Sequence, residues 1–174
     1  MNLSNTVILT ERLKLVPLSE EYAESIFKEL TEEITRYMFP KSPDKIEETL
    51  EYIKSELPKI EKGEQLPVII LKKDTGEFIG GAGVHDLNTK TPTMGIWIKK
   101  SAHGNKYGLE AIKALKQWLD ENISYNYISY PVDKDNIASK KIIEALNGIP
   151  EKEVQVKNMS GNILNEIAYR IYKK

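Results

Sequence analysis

Cysteine is absent from this 174-residue chain. Its absence removes disulfides, thiolate nucleophiles and sulfur-based metal sites together. Group transfer, if any occurs, must use another nucleophile or pass directly from donor to acceptor. Neither sign of charge is in excess: 25 Lys and Arg are interspersed among 26 Asp and Glu. The basic face that nucleic acid or an anionic membrane requires is therefore missing, and no partner of either kind is expected. No apolar run approaches the ~20 residues that span a bilayer. The N-terminus, Met1-Asn2-Leu3-Ser4-Asn5-Thr6, also lacks the basic start and apolar stretch of a signal peptide. The cytoplasm is the expected location.

Hydrophobic residues make up 40% of the chain, enough for one substantial core. The length suits a single domain over residues 1–174. From the N-terminus, Val7 to Leu18 reads as a strand. Ser19 then caps a helix carrying Tyr22, Ile26, Leu30 and Ile34 at helical spacing. Arg36 to Pro40 clusters large side chains in a loop, either a plug over the core or a substrate-binding rim. Ser42-Pro43 is a start signal for a helix with Ile46, Leu50, Ile53, Leu57 and Ile60 on one face, which Pro58 should end or kink.

From Leu66 the period shortens. Val68 to Leu71, the turn Asp74-Thr75-Gly76 and Glu77 to Val84 predict a hairpin. Gly80, Gly81 and Gly83 suggest a bulge or a close approach by a ligand. Met94 to Lys99 is a third strand. Ser101 to Asn105 is a small-residue loop, and Ile112, Leu115, Trp118 and Leu119 mark the helix after it. Ile128 to Val132 reads as a strand and Asn136 opens a helix with Ala138, Ile142, Ala145 and Leu146 inward. Gly148 is the expected cap, and strands over Lys152 to Lys157 and Asn165 to Tyr172 close the chain.

The strand Ile96-Trp97-Ile98, the glycine-containing loop and the following helix start would direct free N–H groups and the positive end of a helix dipole at one spot. That arrangement suits a phosphate or pyrophosphate, although many strand-to-helix turns bind nothing. Further signals lie along the chain. The loop reads His103-Gly104-Asn105-Lys106-Tyr107-Gly108, followed by Leu109. Downstream come Asn136-Ile137-Ala138-Ser139 and Leu146-Asn147-Gly148-Ile149. Upstream lie Thr10-Glu11-Arg12-Leu13 and Asp74-Thr75-Gly76-Glu77-Phe78-Ile79-Gly80.

In this order these motifs resemble the GNAT superfamily of N-acetyltransferases, in particular its ribosomal-protein N-terminal acetyltransferase (RimJ/RimL-type) branch. The resemblance implies an α/β fold with a mostly antiparallel sheet of about seven strands flanked by about four helices. It also implies acetyl-CoA as co-substrate, an amine acceptor, no metal, and a monomer or homodimer. The family's cofactor loop is Gln/Arg-x-x-Gly-x-Gly/Ala; here His103 takes the first position and Lys106 the first glycine.

By that resemblance, the backbone of Ile96, Trp97 and Ile98 pairs with the pantetheine arm. His103, Gly104, Asn105, Lys106, Tyr107, Gly108 and Leu109 form the cofactor loop, with Gly104 to Leu109 holding the pyrophosphate. Asn136 bonds the pantetheine amides and Ser139 lies near the thioester sulfur. Many relatives protonate the leaving thiolate with a tyrosine seven residues after the asparagine, where this chain has Ile143. Ser139 remains the candidate acid, or is a structural helix hydroxyl. The usual base, a glutamate two residues before the strand glycine, is Thr93 here. His85 could replace it, or is a hydrogen-bonded strand-end histidine. The expected activity is direct acetyl transfer to a primary amine of a small molecule or a protein N-terminus. The alternative is a catalytically degenerate acyl-CoA-binding or sensing protein. The acceptor is expected to be selected by Arg36 to Pro40 and by the turn Asn158 to Asn162.

Overall fold

The computed structural model describes residues 1–173. Its centre is β3 (Leu66–Lys72), where an unbroken apolar run is buried on both faces, as an interior strand of a covered sheet must be. A turn with Gly76 at φ 73° returns the chain antiparallel as β4 (Phe78–His85), and β5 (Thr93–Ile98) follows antiparallel again. On the other side of β3 lie β2 (Leu13–Pro17) and the short β1 (Ile8–Leu9). After β5 the chain crosses over through helix α4 (Tyr107–Asn122) to the parallel β6 (Ile128–Asp133). The hairpin β7 (Ile149–Lys157) and β8 (Ile163–Ile171) completes an eight-stranded sheet ordered β1-β2-β3-β4-β5-β6-β8-β7.

Helices α1 (Ala23–Glu29) and α3 (Ile46–Lys62) cover one face, with the one-turn α2 (Glu32–Thr35) between them in the chain. Helices α4 and α5 (Ile137–Ala145) cover the other. Ile53 and Ile60 of α3 and Ile112, Leu115 and Leu119 of α4 are almost wholly buried, as their spacing predicts.

The mixed α/β architecture, with one mostly antiparallel sheet, is as expected, with one more strand and one more helix than the sequence suggested. The extra strand arises because the expected Val7–Leu18 strand folds back on itself at Thr10–Arg12 into β1 and β2. The helix expected after Ser19 is broken into a 3-10 turn, α1 and α2, and the Ser19 hydroxyl bonds Glu21 instead of capping. Helix α3 starts at Ile46, later than Ser42-Pro43 predicts, and runs on past Pro58. It stops at Gly63 (φ 73°), where Gly63 and Glu64 N–H donate back to the Ile60 and Lys59 carbonyls at 3.0 and 2.9 Å. At the end of α5 the left-handed residue is Asn147 (φ 56°), not Gly148. Gly148 is needed for a different reason: a β-carbon there would sit 2.3 Å from Ile143 Cγ2. Among the described residues no helix is long and apolar enough to cross a membrane.

Candidate active site

The sheet comes apart between β5 and β6. The two strands share a single register pair, Thr93 with Ser129, with the Ser129 N–H donating to the Pro92 carbonyl at 2.8 Å. On its other side β5 is fully paired with β4, and the Lys99 N–H donates to the Ile79 carbonyl at 2.9 Å. Antiparallel pairs alternate, so Trp97 and Gly95 direct their backbone groups to β4, whereas Ile96 and Ile98 direct theirs to the gap. The Ile98 carbonyl accepts from His103 Nε2 at 2.7 Å. His103 thus ties the loop to the end of β5.

The loop after β5 makes left-handed turns at Gly104 (φ 83°) and Lys106 (φ 60°). Lys106 therefore adopts a conformation that L-residues other than glycine seldom take. The Asn105 side chain braces the loop by donating to the Ala102 and His103 carbonyls at 3.1 and 3.2 Å. Helix α4 closes its first turn from the Glu110 N–H onto the Lys106 carbonyl at 3.2 Å. The N–H groups of Tyr107, Gly108 and Leu109 consequently have no acceptor inside the helix. Gly108 packs close: a β-carbon would lie 3.2 Å from Ile142 and 3.6 and 3.7 Å from Ile98 and Ile96. That places this turn against both β5 and α5.

Thr10 and Arg12 hold the turn in place. Glu110 accepts from the Thr10 hydroxyl at 2.6 Å, from the Arg12 N–H at 2.9 Å and from Arg12 Nε at 2.7 Å, and the guanidinium covers the Tyr107 ring at 4.7 Å. Burial would raise the Glu110 pKa, but the Thr10 and Arg12 hydrogen bonds outweigh it and hold the carboxyl below its ordinary value. The Lys99 ammonium bonds Glu77 at 2.9 Å, anchoring the end of β5 to the β3–β4 turn.

On the opposite face of β5 lies a cavity of about 620 Å³. Its floor is Gly81, Gly83 and Gly95, and its walls include Tyr52, Trp97 and Met159. Gly95 would direct a β-carbon into open space, with nothing within 4 Å among the described residues. The Arg36–Pro40 segment and the Asn158–Asn162 turn meet over it: Met159 N–H donates to the Phe39 carbonyl at 2.9 Å and Asn158 Nδ2 to the Met38 carbonyl at 3.3 Å. His85 lines this cavity and pairs with Thr93 across the β4–β5 ladder. Directly opposed residues share a face, with β-carbons about 5 Å apart. The imidazole therefore stands beside Thr93.

Residues 12–148 match the acetyltransferase (GNAT) domain. The chain belongs to the GNAT acetyltransferase family. Solved structures agree on the fold. A ribosomal-protein N-terminal acetyltransferase of Salmonella typhimurium superposes with a TM-score of 0.83 at 15% identity, covering 97% of this chain and 100% of that one. A GNAT acetyltransferase of Bacillus anthracis gives 0.82 at 15% identity, with 97% and 99% covered. A RimL ribosomal-protein acetyltransferase solved in complex with coenzyme A gives 0.82 at 15% identity, with 96% and 98% covered. Among curated protein sequences none matches.

Across the gap, this GNAT chain presents α5. Asn136 caps that helix, its Oδ1 accepting from the Ser139 N–H at 3.2 Å. Ile143 is completely buried, so the usual tyrosine position is core. Tyr130 on β6 was not singled out from the sequence. It is 2% exposed, and its hydroxyl has no hydrogen-bond partner among the described residues. Burial raises its pKa and the neighbouring Ser139 side chain partly opposes that. Two more groups behind His85, Gln65 and Glu56, also escaped sequence reading, because each looks like a solvated polar residue.

Proposed function

We propose that this protein is an acetyl-CoA-dependent N-acetyltransferase that passes acetyl directly to a primary amine held over the glycine floor, with His85 as general base. The observation that carries the reading is that the β5–β6 gap and the glycine-floored cavity share one strand, β5, with His85 lining the cavity opposite Thr93. The chain's own groups fit acetyl-CoA. The backbone edge of Ile96 and Ile98 would pair with the pantetheine amides as an added strand. The free N–H groups of Tyr107, Gly108 and Leu109 would receive the pyrophosphate. The side-chain NH2 of Asn136, left free by the cap, would bond the pantetheine arm. Acetyl-CoA supplies an activated acyl group.

A primary amine with a pKa near about 10 arrives as ammonium and must lose a proton before it can attack. His85 Nε2 takes that proton and returns it to solvent. Burial lowers the His85 pKa, with Glu56 and Asp86 opposing, so the imidazole is neutral and able to accept at neutral pH. Ser139 is the hydroxyl assigned to the leaving sulfur, with Tyr130 behind it. Glu48 and Glu51 outnumber the one lysine of the lining, Lys41, which is paired with Asp44 at 2.5 Å, and with the largely apolar walls they favour an acceptor with a cationic amine on an apolar body. The family match gives no support to a catalytically degenerate acyl-CoA binder.

An amine panel monitored by release of free CoA thiol tests the activity, beside a thermal-shift titration with acetyl-CoA. Stabilisation by acetyl-CoA, turnover with at least one amine and its loss in His85→Ala are expected. The absence of stabilisation at millimolar acetyl-CoA would refute the proposal, and unchanged turnover in His85→Ala would remove that residue from the mechanism.

A further inference from the structure

Behind His85 runs a chain of side chains that fixes which of its nitrogens carries the proton. Glu56 is 4% exposed on the inner side of α3 and accepts from Lys59 Nζ at 2.8 Å. It also accepts from Gln65 Nε2. A carboxylate has no hydrogen to donate, so the amide of Gln65 must present its NH2 to Glu56 and its oxygen to the other side. There Gln65 Oε1 lies 3.0 Å from His85 Nδ1. An amide oxygen only accepts, so Nδ1 must carry the hydrogen. A neutral imidazole has one N–H, and Nε2 is left with its lone pair. Nε2 is on the cavity side: a β-carbon on Gly83 would stand 3.4 Å from it.

We infer that Gln65 and Glu56 are positioning residues that lock His85 in the Nδ1-protonated tautomer and aim its Nε2 lone pair into the acceptor cavity. As His85 takes a proton from the ammonium, the imidazolium that forms keeps its Nδ1–H on Gln65, whose amide is polarised by the Glu56 carboxylate. The charged groups acting on the ring are Glu56 and Lys59 from α3 and Asp86 from the turn after β4. The inference uses the proposed acetyl transfer to give the lone pair its task, but the tautomer exists with or without an acceptor.

The two parts are therefore tested separately. The chain has only two histidines, so a spectrum of the ¹⁵N-labelled imidazoles is readily assigned, with His103→Gln identifying His85. A protonated Nδ1 and bare Nε2 at neutral pH are expected; the opposite tautomer would overturn the inference, whatever the enzyme acetylates. For catalysis, Glu56→Gln removes a charge that favours imidazolium and should move the acidic limb of the kcat profile to lower pH. The exchange Glu56→Gln with Gln65→Glu puts the carboxylate directly on Nδ1 and should move the limb to higher pH. KM for acetyl-CoA should stay unchanged in both. Loss of kcat on replacing Gln65 with Leu is bounded by the about 10²–10⁴-fold that a general base supplies. Equal loss of activity in all variants with no displacement of the limb would show a merely structural role.

Discussion

Replacing Gly95 with valine separates folding from chemistry at one position. Among the described residues a β-carbon at Gly95 has no neighbour within 4 Å, and the position has no positive φ to strain. Glycine within a strand is destabilising by about 0.5–1 kcal/mol relative to alanine, and β-branched residues gain further on a scale spanning about 1 kcal/mol. For a domain of this size, 1 kcal/mol corresponds to about 2–4 °C in Tm. Gly95→Val should therefore melt about 1–8 °C higher than the wild type. The same side chain would rise from the cavity floor beside Gly83 and Trp97, where the acceptor is proposed to lie. Since a misplacement of about 1 Å can cost about 100-fold in rate, kcat/KM for the acceptor should fall by at least that factor. Acetyl-CoA affinity should be retained, because Gly95 directs its backbone to β4 and not to the gap. Differential scanning fluorimetry, acetyl-CoA titration and CoA release give the three readouts. A lower Tm would refute the open-space argument. Unchanged acceptor kinetics in a well-folded variant would refute the glycine floor as the acceptor site.

Other positions carry independent expectations. Lys106→Gly removes a left-handed non-glycine residue, relieving about 1–2 kcal/mol against about 0.5–1 kcal/mol of added chain entropy. Chemical denaturation should thus show equal or slightly higher stability. Gly148→Ala should destabilise the fold by about 1–3 kcal/mol, because the new β-carbon would overlap Ile143 Cγ2 at 2.3 Å. The folded-state pKa of Glu110 is depressed, so its stabilisation is full above the unfolded carboxyl value and is lost as pH falls through the folded one. Glu110→Gln should flatten the acid limb of the Tm–pH curve, and an unchanged limb would place the acid sensitivity elsewhere.

The strand, loop and helix start from Gly95 to Leu119 were legible because each signal is local: an apolar run, small residues with a glycine, then helical spacing. What the turn binds was not legible from it, since many such turns bind nothing. The Thr10–Arg12 pattern was recognisable only by resemblance. Its clamp on Glu110 joins residues about 100 positions apart, and no local pattern reports such a contact. Gly148 looked like a helix cap because glycine favours left-handed turns. Asn147 can take that turn, whereas only a residue without a β-carbon fits beside Ile143. Glu56 was hidden by periodicity itself. It directly precedes Leu57 of the apolar stripe, where a glutamate reads as an ordinary solvated residue and its ties to Lys59 and Gln65 are invisible.

The single rung between β5 and β6 also has a mechanical meaning. Strands β1 to β5 make one leaf and β6 to β8 another, and along that seam a sheet's usual resistance to shear is missing. Opening the angle between the leaves would be resisted by α4 and α5, by the Asn126 N–H on the Lys90 carbonyl at 2.7 Å and by the Met159 N–H on the Phe39 carbonyl at 2.9 Å. An extended amide chain in the seam would act as a ninth strand and turn a hinge into a continuous beam. Amide hydrogens of Ile96 and Ile98 would then exchange slowly only in the complex, and protection would extend across the seam from one leaf to the other.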